Sequence, residues 1–215
     1  MSFHTRAKRP MRALLATALA VAAMPTLAGG PYTQTVFFGD SLTDSGFFRP
    51  LLPASVRPVT GQFTTNPGFV WSQYLADFYG TGAAPNGNGQ TGTNYAAGGA
   101  RVGVNSTGAL GPIPSLATQV NNYLAANGGR ADSRALYTVW GGANDLFAIT
   151  NAGADPTLTI GGAVAAEVGI VGALRNAGAR YILVATVPDL GLTPAFRAQG
   201  AAAQASGSAL STTYN

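Results

Sequence analysis

The sequence has no cysteine among its 215 residues, and its single histidine, His4, lies near the N-terminus. The absence of cysteine excludes a disulfide-linked scaffold, a cysteine-ligated zinc site and a cysteine nucleophile. With only one histidine as well, neither a transition-metal site nor a cofactor is predicted. Charged residues make up only 9% of the chain, whereas 47% of its residues are hydrophobic. The chain can therefore bury a core, and its length predicts one domain.

The first 28 residues have the three-part pattern of a secretory signal peptide. Arg6, Lys8, Arg9 and Arg12 precede an apolar run over residues 13–24, and small residues follow it. A run of about 12 residues is too short to cross a bilayer of about 30 Å as a helix. We therefore predict a signal peptide over residues 1–28 and a secreted, periplasmic or cell-surface protein; the alternative is a disordered basic N-terminus.

The net charge of +4 comes from this leader, because the residues after it carry eight arginines and eight acids. A neutral segment has no basic stripe to neutralise phosphates, so no nucleic-acid partner is predicted. The same residues contain no histidine. Any catalysis that needs an imidazole must therefore obtain it from elsewhere.

Three short apolar runs predict buried strands, over residues 35–38, 135–140 and 181–187. Their apolar residues are continuous, which indicates a parallel sheet covered on both faces. Helices are predicted over 69–79, 115–126, 157–176 and 195–210, and a further short strand over 94–97. The fold class predicted for residues 29–215 is α/β, a three-layer sandwich with a mostly parallel sheet. A G-x-G-x-x-G run at 87–92 lacks the strand and helix of a dinucleotide site and is read as a loop.

Polar and glycine residues follow the predicted strands, where open α/β sheets bind their ligands. Ser41 is expected near the start of a helix, either as an exposed nucleophile or as an N-cap. Gly98 and Gly99 indicate either a backbone donor close to a ligand or an ordinary turn. Asn144 is either an oxyanion donor or the cap of a helix starting at Leu146.

Taken in order, these segments resemble the motifs of the GDSL, or SGNH, hydrolases. The matching stretches are residues 38–46, 94–100 and 142–145, and residues 61–71 and 187–194 resemble bacterial secreted members, in particular the autotransporter esterases and lipases. The resemblance covers residues 35 to about 200. It implies the SGNH-hydrolase, flavodoxin-like fold and cleavage of a small-molecule or lipid ester through an acyl-enzyme. Ser41 would be the nucleophile, and the Gly99 amide and the Asn144 side chain would be oxyanion donors.

The sequence departs from that family at its last motif, D-x-x-H, which supplies the catalytic base and the carboxylate that orients it. No such motif occurs here. Either the chain is part of a longer protein, or it is a relative that has lost catalysis. The three intact motifs favour the first, so the domain is expected to be C-terminally truncated, nearly inactive alone, and attached to an outer membrane through the missing C-terminal part.

The alternative function is a non-catalytic module that binds glycans or lipids in the same cleft. The sequence fixes neither the acyl chain nor the alcohol of the substrate, and a carbohydrate O-acetyl ester is a further option. Phe47, Phe48, Leu51 and Leu52 would either line an acyl pocket or belong to the core.

Overall fold

The computed structural model describes residues 30–60, 62–63 and 68–215. The predicted signal peptide and most of residues 61–67 lie outside these ranges. In chain order the strands are β1 (Thr35–Gly39), β2 (Asn86–Gly87), β3 (Gln90–Thr91), β4 (Ser106–Gly108), β5 (Gly111–Ile113), β6 (Leu136–Trp140) and β7 (Tyr181–Val184). The α-helices are α1 (Trp71–Phe78), α2 (Leu116–Ala126), α3 (Ala143–Ala152), α4 (Pro156–Asn176), α5 (Pro194–Arg197) and α6 (Ala201–Tyr214).

The centre of the fold is a parallel sheet in the order β1-β6-β7. The sequence predicts each of these strands, although β7 ends at Val184, three residues earlier than expected. β1 and β6 pair in register from Thr35 opposite Leu136 to Gly39 opposite Trp140. Their carboxyl ends therefore meet at one edge, which is where the predicted site residues follow.

Alternate residues of β1 face two different helical layers. Val36 and Phe38 are fully buried in the main core, which also contains Leu116 of α2 and Leu174 of α4. Phe37 points to the opposite face and packs with Ala76 of α1. Because successive side chains of a strand point to opposite faces, this alternation builds the layered α/β sandwich predicted from the sequence.

The predicted strand over 94–97 is not a regular strand. Asn94 makes an isolated parallel bridge with Phe37, and the Tyr95 and Ala97 amides donate to the carbonyls of Phe37 and Gly39. The Asn94 side chain explains the irregularity, because it donates to the Thr43 carbonyl at 2.7 Å and accepts the Ala96 amide at 3.1 Å. The segment lies along β1 and leads directly to the glycine pair.

Two helix boundaries differ from the sequence prediction. α3 begins at Ala143 behind Gly142, whose φ of 99° suits glycine, so Asn144 and Asp145 lie in its first turn instead of capping a helix from Leu146. The helix expected over 195–210 is divided into α5 and α6, and Gly200 with φ 92° separates them. The predicted loop at 87–92 contains the tight hairpin of β2 and β3.

One edge of the sheet is less covered than the sequence predicts. α1 covers one face of the sheet at β1. On the same face of the sheet, Tyr181 and Leu183 of β7 remain 48% and 45% exposed. Among the described residues, α4 is the single helix long and apolar enough to cross a membrane. It packs against α2 and α3 and contributes Ile170 to the core, as a helix of the domain does.

Candidate active site

Ser41 follows β1 directly and lies in a tight turn. The Asp40 carbonyl accepts the amides of Thr43 at 3.1 Å and Asp44 at 3.0 Å, and the Asp40 carboxylate accepts the Leu42 amide at 3.0 Å. The expectation that Ser41 begins a helix is therefore wrong, because side-chain and backbone acceptors of Asp40 close a turn that no helix continues. Ser41 is partly exposed, and within the described ranges its hydroxyl makes no hydrogen bond.

The glycine pair forms a turn that leaves one amide available. The Ala100 amide donates to the Ala97 carbonyl at 3.0 Å, and Gly99 has a φ of 81°. The Gly98 amide is already engaged, donating to the Asp44 carboxylate at 2.9 Å. The Gly99 N–H has no acceptor in the part of the chain that the structure describes. Of the two glycines, Gly99 therefore has the amide that is free to meet a ligand, and its assignment as oxyanion donor stays a prediction.

Asn144 contacts both of the other motifs. Its side-chain nitrogen donates to the Ala100 carbonyl at 3.0 Å and to the Asp40 carboxylate at 3.3 Å. Ala100 follows Gly99, and Asp40 precedes Ser41, so these two bonds bring all three predicted segments together at the carboxyl edge of the sheet. The position at the second residue of α3 fixes the direction of this side chain.

Asp145 ties the glycine loop to α3. Its carboxylate accepts the Val102 amide at 3.0 Å and pairs with the Arg101 guanidinium at 3.0 Å. The segment after Gly99 is thus attached to the first turn of α3 through both Asn144 and Asp145. Asp40 and Asp145 therefore act as structural residues that hold these turns through their hydrogen bonds to backbone amides.

Gln119 supports the serine turn, and the sequence reasoning missed it. Its side-chain oxygen accepts the Gly39 amide, and its nitrogen donates to the Gly39 carbonyl, both at 2.9 Å. Gln119 is 1% exposed, although glutamine is mostly found at the surface. The available signal was a polar residue on the apolar face of α2, between Leu116 and Val120.

Burial dominates the ionisation of the carboxyl groups at this edge. It raises the pKa of Asp40 to about 6, against an opposing hydrogen bond from the Leu42 amide. It also raises the pKa of Asp44 to about 6, although three backbone amides stabilise the charged form. The pKa of Asp145 is raised by burial as well. All three are engaged by N–H donors, which leaves them structural partners of the loops.

The apolar residues near the site divide between core and surface. Phe47 and Phe48 are each 8% exposed and pack edge to face with Ala97 beside them, so they belong to the core. Leu51 is about half exposed, and Leu52 is partly buried. The Phe63 ring lies over Gly98, where an added Cβ would collide with it, and Ile113 lies within 3.2 Å of the corresponding point on Gly99.

No histidine occurs in residues 30–215, and no side chain in the described ranges hydrogen-bonds to the Ser41 hydroxyl as a base would. Asp189 accepts the Gly191 amide at 2.9 Å and the Ser208 hydroxyl at 2.7 Å, which makes it a structural residue of the α6 region. Within residues 30–60, 62–63 and 68–215, no three His, Asp or Glu side chains cluster as a metal site requires.

Comparison with known proteins adds to this geometry. The profile of the family described as GDSL-like lipase/acylhydrolase matches residues 35–215. The chain is 34% identical to Lipase 1 of Photorhabdus luminescens over 163 residues, covering 76% of this chain and 23% of that protein. It is 33% identical to Esterase EstA of Pseudomonas aeruginosa over 225 residues, covering 89% of this chain and 33% of that protein. The chain thus spans about a quarter to a third of the length of these relatives.

Proposed function

The chain belongs to the GDSL-like lipase/acylhydrolase family, and from that membership we propose that it is the serine-bearing part of a hydrolase of carboxylic esters. The observation that carries this proposal is the pair of hydrogen bonds from Asn144 to Ala100 and Asp40. These bonds hold a candidate side-chain donor between the turn of Ser41 and the turn of Gly99. Such convergence is what acyl transfer to a serine requires.

The proposed reaction proceeds through an acyl-enzyme. The Ser41 Oγ attacks the ester carbonyl carbon while a base removes its proton, and the carbonyl oxygen becomes an oxyanion. The Gly99 N–H and the Asn144 amide donate to that oxyanion, with the Ser41 amide beside them. The oxyanion then collapses, the alcohol leaves with a proton from the base, and water releases the acid by the same steps. One such donor contributes about 2.7–4 kcal/mol in the transition state.

The base is proposed to come from polypeptide outside these 215 residues. Three observations support this. The first two are that residues 30–215 contain no histidine and that the relatives are about three to four times longer than the part they share with this chain. A third is the apolar groove between α4 and β7, lined by Val164, Val168, Val171 and Val184 beside the exposed edge of the sheet. A further segment packed there would cover apolar surface that otherwise faces water.

Imidazole rescue tests the proposal. The purified chain is incubated with p-nitrophenyl acetate and butyrate, with and without free imidazole, alongside Ser41→Ala. We expect little turnover without imidazole and a saturable increase with it that Ser41→Ala lacks. Equal rates for the two proteins at every imidazole concentration would contradict the hydrolase. Retention of glycans or lipids by both proteins, without hydrolysis, would then favour the binding module.

Export is part of the same proposal, supported by the charge and hydropathy pattern of residues 1–28. The mature protein would be secreted, periplasmic or displayed at the cell surface. In the last case, further polypeptide would attach it to an outer membrane. Fractionation of cells that express the gene, with N-terminal sequencing of the product, tests this. A cytosolic product that retains Met1 would contradict it.

A further inference from the structure

Asp44 is fully buried and joins two of the loops at the candidate site. One carboxylate oxygen accepts the amides of Gly46 at 2.7 Å and Phe47 at 2.6 Å. The other accepts the Gly98 amide at 2.9 Å, across 54 residues of sequence. A carboxylate has two acceptor oxygens and no donor, so it can satisfy all three amides at once. Asp44 therefore fixes the loop after Ser41 and the glycine turn relative to each other.

The Gly98 bond determines which way the next amide points. In the turn over residues 97–100, Ala100 donates to the Ala97 carbonyl and Gly98 donates to Asp44. The Gly99 amide lies between these two fixed groups, and the φ of 81° at Gly99 is a conformation that side chains rarely adopt. With both neighbouring N–H groups bound to the protein, the peptide that carries the Gly99 N–H has little freedom to rotate.

We propose that Asp44 is the positioning residue that aims the Gly99 N–H at the oxyanion. This inference rests on the function proposed above. Asp44 does not touch the substrate, because its three bonds are directed to backbone amides and its side chain is 0% exposed. Asp44 acts through Gly98: it binds the Gly98 N–H to itself, so that the Gly99 N–H is the one that faces the proposed oxyanion position. A loss of this restraint would misplace a donor without removing it, and small displacements of catalytic groups are costly.

The test uses the Asp44→Asn variant, which keeps the side-chain volume but places an NH₂ group against the Gly98 N–H or against the Gly46 and Phe47 amides. A p-nitrophenyl alkylphosphonate reports on the site. With free imidazole supplied as the base, Ser41 Oγ forms a bond to phosphorus, p-nitrophenolate leaves with the electron pair of the broken P–O bond, the serine proton passes to imidazole, and the phosphoryl oxygen occupies the oxyanion position. We expect phosphonylation of Ser41 to slow about 10²-fold in Asp44→Asn. Asp155→Asn is the matched control, since it replaces an exposed helix cap by an equally good one.

Amide NMR of the ¹⁵N-labelled chain separates positioning from general damage. In the wild type, the Gly98 N–H should exchange slowly and the Gly99 N–H rapidly, and phosphonylation should shift the Gly99 resonance and leave Gly98 in place. In Asp44→Asn, Gly98 should lose its protection and Gly99 should shift, with the amides of α2 and α4 unchanged. Equal phosphonylation rates in the folded variant and the wild type would overturn the inference.

The wild-type measurements judge the inference even if the variant does not fold. Fast exchange of Gly98, or a shift of Gly98 in place of Gly99 on phosphonylation, would overturn it. A wild-type chain that is not phosphonylated at Ser41 even with imidazole present would contradict the proposed function. In that case the exchange rates of Gly98 and Gly99 in Asp44→Asn still decide whether Asp44 orients this turn.

Discussion

The side-chain nitrogen of Asn144 lies 3.3 Å from the Asp40 carboxylate, although 104 residues separate them in the sequence. This contact links the first turn of α3 to the turn that carries Ser41. The shorter bond of Asn144, to the Ala100 carbonyl at 3.0 Å, links the same side chain to the glycine turn. Asn144 thus joins the loops in the free protein, and the longer of its two bonds is the one that a substrate oxygen would compete for.

Replacing Asn144 with alanine should slow the phosphonylation of Ser41 by about 10²–10³-fold, because a side-chain oxyanion donor is lost. Asn151→Ala, at the exposed end of the same helix, should leave the rate unchanged. The measurement is the second-order rate constant of p-nitrophenolate release at a fixed imidazole concentration, corrected for the release seen with Ser41→Ala. A folded Asn144→Ala protein that reacts at the wild-type rate would exclude Asn144 from the oxyanion site.

The buried carboxyls predict an unusual dependence of stability on pH. Burial raises the pKa of Asp40 and of Asp44 from 3.8 to about 6, so the folded chain binds their protons more tightly than the unfolded chain does. The free energy of unfolding should therefore fall as the pH rises from about 4 to about 6, and then level off. At about 1.4 kcal/mol per pKa unit, each group contributes at most about 3 kcal/mol.

Urea unfolding at pH 4, 5, 6 and 7 measures this effect, and Asp40→Asn isolates one group. The variant should lose less stability than the wild type across the window from about pH 4 to about pH 6. If the free energy of unfolding changes with pH by the same amount in the wild type and in Asp40→Asn, Asp40 does not titrate as its burial implies.

Gln119→Leu should destabilise the fold by about 1–3 kcal/mol. The substitution leaves the buried Gly39 N–H without its acceptor, and one unsatisfied buried group costs about that much, whereas the Gly39 carbonyl keeps the Ala97 amide as a donor. Asn122→Ala, on the exposed face of α2, should change the free energy of unfolding by less than about 0.5 kcal/mol. Thermal and urea unfolding of the two variants provide the comparison, and similar values for both would mean that Gly39 finds other partners.

The uncovered edge at β7 predicts that the 215-residue chain aggregates. Leu183 is 45% exposed on a strand whose outer edge has no partner in the described part of the chain. Leu183→Lys should raise the yield of soluble monomer, because a charged edge strand resists pairing with another chain. In a longer protein that covers β7, the same substitution should lower the melting temperature. Val139→Lys, at a fully buried position of β6, should prevent folding in both.

The sequence was informative where local signals and tertiary structure agree. Continuous apolar residues located β1 and β6, and the helix predicted over 115–126 coincides with α2 and its Ser115 cap, because burial and capping there follow from neighbouring residues. Ser41 illustrates the limit: a serine after a strand predicts a helix start, yet the Asp40 acceptors close a turn. The start of α3 was missed because Gly142, and not an Asx residue, occupies the N-cap.

The contacts that assemble the site were beyond local reasoning. The bonds of Asp44 to Gly98 and of Gln119 to Gly39 cross 54 and 80 residues, and no periodicity in the sequence reports them. Motif order predicted which segments meet, whereas the polar residues that hold them together are visible only in three dimensions. The exposed face of β7 was missed for the same reason, since continuous apolar sequence predicts burial and does not say which segment supplies the cover.

Ile113 reaches the Gly99 turn from the β4–β5 hairpin, and the hairpin shares none of the carboxylate bonds that fix that turn. The hairpin that borders the Gly99 turn and the groups proposed to act on the ester thus come from separate parts of the chain. Libraries that vary residues 106–113 should therefore change which esters the proposed site accepts while the proposed reactive groups keep their arrangement, which makes this hairpin the natural starting point for altering selectivity.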